Sequence, residues 1–177
     1  TALITPFKNG AIDYQSLEKL VQFQIQNGVD GFVINGTTAE SPNLSHQEIA
    51  ELFNKVKLWA PKSVLIMGTG SNSTAKTIED TKKASELGAD AVLVVVPYYN
   101  KPPQRGLEQH FRAIAQSTKL PVILYNVPGR TITSLEPETV KHIAAEKNVV
   151  GIKEATGKID LAQQIIQLCG KNFVMLS

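Results

Sequence analysis

With 177 residues, 42% of them hydrophobic and 19% charged, the chain has the composition of one globular domain with a sizeable core. A net charge of +2 scattered over polar faces disfavours nucleic acid and anionic membranes as partners, and no apolar run approaches the ~18–20 residues of a membrane span. One cysteine, Cys169, excludes an internal disulfide and, with no signal-peptide pattern at the start, implies a cytoplasmic protein.

Short apolar runs alternate with longer amphipathic segments. ALIT (2–5) opens the series, followed by a helical pattern at 14–27 that aligns Leu17, Leu20, Val21 and Ile25 and stops at Gly28. After GFVIN (31–35), the pattern at 45–59 begins with Ser45 and Glu48 at capping-box spacing and ends before Pro61. SVLIMG (63–68) leads to a helix at 74–87 closed by Gly88. AVLVVV (91–96) and PVILYN (121–126) come next, then a helix at 138–145, VVGIK (149–153), a helix at 159–169, and FVMLS (173–177). The runs are rich in Val, Ile and Leu and about five residues long, as in strands of a parallel sheet covered on both faces.

A strand and helix every ~25–30 residues is a βα repeat. Seven strands in strict alternation favour an eight-stranded (β/α)8 TIM barrel over a doubly wound sheet, and no G-x-G-x-x-G opens a helix after the first strand. The expected α/β fold is one partial barrel domain over 1–177, present through about strand 7, with strand 8 and the C-terminal helices absent. The start at TALITP without methionine and the stop inside NFVMLS read as cuts within a longer polypeptide, leaving the first and seventh strands as open edges.

In such a barrel the active site lies where strands end and loops begin. Those ends carry Thr37 and Thr38, Tyr98 and Tyr99, Tyr125 with Arg130, and Lys153. Period-two alternation puts Val149, Gly151 and Lys153 on one face, with Gly151 leaving room beneath the lysine. An amine buried there would lose part of its charge, and a free amine attacks ketones to form Schiff bases. The alternative is a snorkelling lysine, or one paired with Glu154. Tyr125, at the end of the adjacent strand, could move a proton at the Schiff-base centre. The Thr37–Thr38 pair could bind a carboxylate, and Arg130 a second one bidentately. Four convergent groups without a metal or phosphate motif suggest carbon–carbon chemistry through an amine.

TALITPF, GTTAES, PYYNKP, YNVPGRT and GIKEATG, in this order and across the whole chain, resemble the dihydrodipicolinate synthases, pyruvate-dependent class I aldolases related to N-acetylneuraminate lyase. The resemblance implies that Lys153 forms the imine with pyruvate, whose enamine attacks aspartate semialdehyde, and that Tyr125 relays protons. It implies that Thr37 links Tyr125 to a Tyr99 contributed by a neighbouring subunit of a homotetramer. It also assigns the pyruvate carboxylate to Thr38, with Gly36 beside it, and the semialdehyde carboxylate to Arg130. That arginine favours the synthase over the sialic-acid lyase. Ala39 stands where the family often has glycine, so the turn there is expected to differ slightly.

Ser41, His46, Asn72 and Tyr98 match positions around the family's lysine effector site. Lys76 and Ile49 stand where glutamate and histidine are usual, so repulsion between two ammonium groups is expected to weaken lysine inhibition. His46, His110 and His142 share no ligand spacing, and neither a metal nor a cofactor is expected. Cys169 reads as a buried, inert thiol. Two alternatives stay open: a pyruvate aldolase with a different aldehyde partner, and a catalytically inactive segment.

Overall fold

A computed structural model describes residues 1–177. The first strand expected from sequence is reduced to a single parallel bridge, Ala2 with Val33, supported by hydrogen bonds from Leu3 N–H to Val33 O (3.0 Å) and from Val33 N–H to Thr1 O (2.7 Å). The pairing goes no further because Asn35, just after the strand that carries Val33, leaves the extended conformation at φ +59°. Next comes an unexpected hairpin, β1 (Phe7–Lys8) and β2 (Ala11–Ile12). Its turn is Asn9-Gly10, at φ +53° and +79°, the doubly left-handed pattern that favours Asn-Gly.

α1 (Tyr14–Gln26) starts at Asp13, whose carboxylate accepts the Ser16 N–H. β3 (Gly31–Ile34) follows, then two 3-10 turns (Thr37–Ala39 and Ser41–Asn43) and α2 (His46–Trp59), where both hydrogen bonds of the Ser45–Glu48 capping box are made. β4 (Val64–Gly68) and α3 (Thr74–Leu87) come next, the helix closed by Gly88 at φ +80°, left-handed geometry that glycine adopts without Cβ strain. β5 (Ala91–Val95) leads to α4 (Gln104–Gln116), which was not placed from sequence. Its apolar stripe of Leu107, Phe111 and Ile114 is fully buried, but Pro102, Pro103 and Gly106 surround its start and read as loop. β6 (Val122–Asn126), the single-turn α5 (Pro128–Thr131), α6 (Pro137–Ile143), β7 (Val149–Glu154), α7 (Ile159–Cys169) and β8 (Val174–Leu176) complete the chain. Cys169 is half-buried rather than buried. No helix is long and apolar enough to cross a membrane.

β3 to β8 form one parallel sheet in strict sequence order, β3-β4-β5-β6-β7-β8. A doubly wound sheet would reverse its order at a switch point, whereas monotonic order is that of a βα barrel. One face of the sheet, with Phe32, Leu65, Val92, Val94, Leu124 and Ile152, belongs to the main core beneath the helices. The other face carries a smaller cluster of Ala91, Leu93, Ile123, Tyr125 and Val127. That second face would line the barrel interior, and the strand ends rising from it position the polar groups.

His110 on α4 is 5% exposed, its Nδ1 2.9 Å from Thr74 Oγ1 and its Nε2 buried without a partner. Burial lowers its pKa from 6.5 to about 4. The unfolded chain therefore takes up this proton first as pH falls, and stability is lost between pH 6.5 and about 4. The loss is expected to reach about 3 kcal/mol at the acid end. Urea unfolding at several pH values should show a shallower acid slope for His110→Gln, and an unchanged slope would remove His110 as the cause.

Candidate active site

Lys153 and Tyr125 are direct register partners on β7 and β6, with the lysine Nζ 4.7 Å from the centre of the tyrosine ring. Tyr125 is 8% exposed and Lys153 half-buried, so the amine is reachable while the phenol is packed. They share the inner face because β6 and β7 run parallel and in phase here.

The path to that arrangement differs from simple alternation. Val122 pairs with Val149 but Ile123 pairs with Gly151, so β7 carries one extra residue, a bulge at Val150. Val149 then packs in the main core with Ile152, while Val150 packs against the inner cluster. Val149 is therefore not on the Lys153 face. Nor does Gly151 leave open space beneath the lysine, since a Cβ there would lie 2.4 Å from the Val174 carbonyl of β8. The glycine admits the neighbouring strand.

Glu154 is not a partner for Lys153. It is 6% exposed and accepts hydrogen bonds from Asn126 Nδ2 (2.8 Å) and Thr156 N–H (2.6 Å). The salt-bridged reading of the lysine fails, because the carboxylate is already satisfied elsewhere.

The Gly36-Thr37-Thr38 segment follows β3 as a 3-10 turn with both threonines exposed. Asn35 enters it at φ +59°, with its Nδ2 donating to Gly68 O (2.9 Å), and the buried Thr5 hydroxyl donates to Ala39 O (2.8 Å). The left-handed residue of this turn is Glu40 (φ +57°), not Ala39. Alanine at 39 therefore carries no left-handed backbone strain. No hydrogen bond joins Thr37 to Tyr125 within the chain.

Tyr99 is 86% exposed at φ +75°, a conformation costly for a non-glycine residue, in the loop after β5. Arg130 is exposed on α5, whose last turn closes on Ile132 at φ +64° and 67% exposure. The chain thus brings Lys153 and Tyr125 together and leaves Thr37, Thr38, Tyr99 and Arg130 on an open rim.

Ser41, His46, Lys76 and Tyr98 do converge, around a cavity of about 500 Å3 between α2 and α3 that Ile49 also lines. Asn72 lies outside this lining, its carbonyl accepting from Asn100 Nδ2 (3.0 Å). Asp80, not singled out from sequence, sits between Lys76 (Nζ to Oδ2, 2.8 Å) and His46 (Nε2 to Oδ1, 3.2 Å). The Lys76 ammonium is thereby paired with Asp80 one turn along α3. The four-residue spacing to Lys76 on α3 was the signal that could have found it.

The whole chain, residues 1–177, matches the dihydrodipicolinate synthetase family. The chain belongs to this family. It is 67% identical to the 4-hydroxy-tetrahydrodipicolinate synthase of Bdellovibrio bacteriovorus, over all of this chain and 61% of that protein. Among solved dihydrodipicolinate synthases, that of Thermotoga maritima superposes with a TM-score of 0.96 at 46% identity, covering 98% of this chain and 61% of the other. The chloride-inhibited enzyme of Acinetobacter baumannii, solved in complex with pyruvate, gives 0.95 at 45%, covering 98% and 60%. The chain thus spans about three-fifths of the length of the dihydrodipicolinate synthetase relatives it matches.

Proposed function

We propose that the protein carrying this chain condenses pyruvate with L-aspartate 4-semialdehyde to give 4-hydroxy-tetrahydrodipicolinate, in lysine and diaminopimelate biosynthesis. The observation that carries this reading is the in-register pair of Lys153 and Tyr125, 4.7 Å apart on the inner face. The Lys153 amine adds to the ketone carbon of pyruvate and water leaves, forming an imine. Loss of a methyl proton gives the enamine, which attacks the aldehyde. Ring closure by the semialdehyde's own amine then displaces Lys153.

Tyr125 carries protons in these steps. Thr37 connects it to Tyr99 of a second copy, a role in keeping with the exposure of Tyr99 in this chain. Thr38 and Gly36 bind the pyruvate carboxylate through N–H and hydroxyl groups, and Arg130 the semialdehyde carboxylate. Residues 1–177 form part of one barrel catalytic domain, working in the cytoplasm as a homotetramer.

The competing reading is a pyruvate aldolase for a sugar-derived aldehyde. Arg130 argues against it, since a neutral sugar offers no carboxylate to a guanidinium. Pyruvate consumption by the complete protein should require aspartate semialdehyde and not N-acetylmannosamine. The reverse preference would overturn the assignment.

The effector site is expected to respond weakly to lysine. Asp80 already pairs with the Lys76 ammonium, so less of its charge is left for the effector's ammonium. Millimolar lysine should leave the initial rate nearly unchanged, and half-inhibition well below that concentration would contradict the expectation.

A further inference from the structure

The residues that follow Tyr125 and Lys153 in sequence are themselves paired, Asn126 opposite Glu154. Asn126 is fully buried and Glu154 nearly so, and neither faces the inner surface where the amine lies. All of their hydrogen bonds go to the segments around the site. Asn126 Nδ2 donates to Glu154 Oε2 (2.8 Å), and Glu154 Oε1 accepts the Thr156 N–H (2.6 Å). Asn126 Oδ1 accepts the Leu135 N–H (3.0 Å), and its main-chain carbonyl accepts that of Ala155 (2.9 Å).

One side-chain pair therefore ties together the two strand ends that carry the amine and the phenol, the loop after Lys153, and the far end of the segment that displays Arg130. A buried carboxylate with no cation beside it is costly, and here it is held by fixed donors from both sides of the site, Asn126 Nδ2 and the Thr156 N–H. The bulge at Val150 makes register in β7 something that must be enforced beyond it.

We propose that Asn126 and Glu154 are positioning residues, which hold the Lys153 amine over Tyr125 in the register that imine formation needs. This rests on the Schiff-base reading above. Every donor and acceptor in the clamp has one place. A Glu154→Gln side chain can satisfy either Asn126 or Thr156 but must set its amide against an N–H at the other. The double variant Asn126→Asp/Glu154→Gln restores the whole set: the new amide donates to the new carboxylate, whose second oxygen still accepts the Leu135 N–H.

The test uses the complete protein, with pyruvate at saturation and borohydride, and reads the rate of adduct formation on Lys153 per folded molecule. Glu154→Gln is expected to slow adduct formation about tenfold or more, with half-saturation by pyruvate little changed. The double variant is expected to recover to within about threefold of wild type, because the bonds rather than the location of the charge set the geometry. Glu154→Asp, which keeps the charge but shortens the reach by one methylene, should be slowed likewise and serves if the glutamine variant does not fold. A wild-type rate per folded molecule in the single variants, or a folded double variant that stays slow, overturns the proposal. No adduct in the wild type overturns the Schiff-base reading itself, and this proposal with it.

Discussion

Replacement of Lys153 by alanine is expected to lower kcat for condensation about 10⁴-fold or more in the complete protein, because no other group in the site can form the covalent intermediate. Lys153→Arg should be as inactive, since a guanidinium is always protonated and does not add to ketones. Neither change should unfold the protein: Lys153 is half-buried, and its ammonium is committed to no carboxylate, Glu154 being bound to Asn126 and Thr156. Steady-state kinetics beside a thermal melt separates the two effects. A variant that keeps more than a tenth of the wild-type rate would show that the amine is not the nucleophile.

Tyr125→Phe removes one hydroxyl and little volume from the inner cluster. The expected result is a fall in kcat of about 10²–10³-fold, the range typical of a lost general acid–base group, with the KM for pyruvate nearly unchanged. The phenyl ring would still lie beside the amine, so imine formation should survive in part while later proton transfers slow. Loss of pyruvate binding with unaltered kcat would instead make Tyr125 a binding residue. Because phenylalanine keeps the ring and its packing in the inner cluster, a large effect would belong to the hydroxyl.

Much of this arrangement was legible in the sequence, for identifiable reasons. The five-residue Val/Ile/Leu runs located the strands of the parallel sheet, and Ser45–Glu48 and Gly88 marked helix ends through local chemistry that needs no tertiary context. Lys153 and Tyr125 could be placed side by side because consecutive strands of a barrel are neighbours. The bulge at Val150 could not be seen, since a strand buried on both faces shows no alternation to be interrupted. The partner of Glu154 is hidden for a related reason: Asn126 lies 28 residues away and is found only once the register is known. The β1–β2 hairpin is carried by a local Asn9-Gly10 signal, whereas the prolines at the start of α4 mask its helical stripe. Ala39 drew attention because glycine is usual there, yet the left-handed turn falls one residue later, at Glu40.

The rim residues are a different case. Thr37, Thr38, Tyr99 and Arg130 were named from their motifs, and each lies at or just beyond a strand end on exposed backbone. Within the chain they form an open rim around the Lys153–Tyr125 pair, and the chain covers 61% of its relatives' length. Tyr99 in particular combines high exposure with left-handed backbone.

The most direct measurement is reductive trapping. The complete protein would be mixed with pyruvate, treated with borohydride and examined by intact mass and peptide mapping, with Lys153→Ala alongside. The expected result is one added reduced pyruvate, on the peptide containing Lys153 and missing from the variant. An unmodified protein, or an adduct on another lysine that persists in Lys153→Ala, would contradict the assignment of Lys153 as the amine that carries the chemistry.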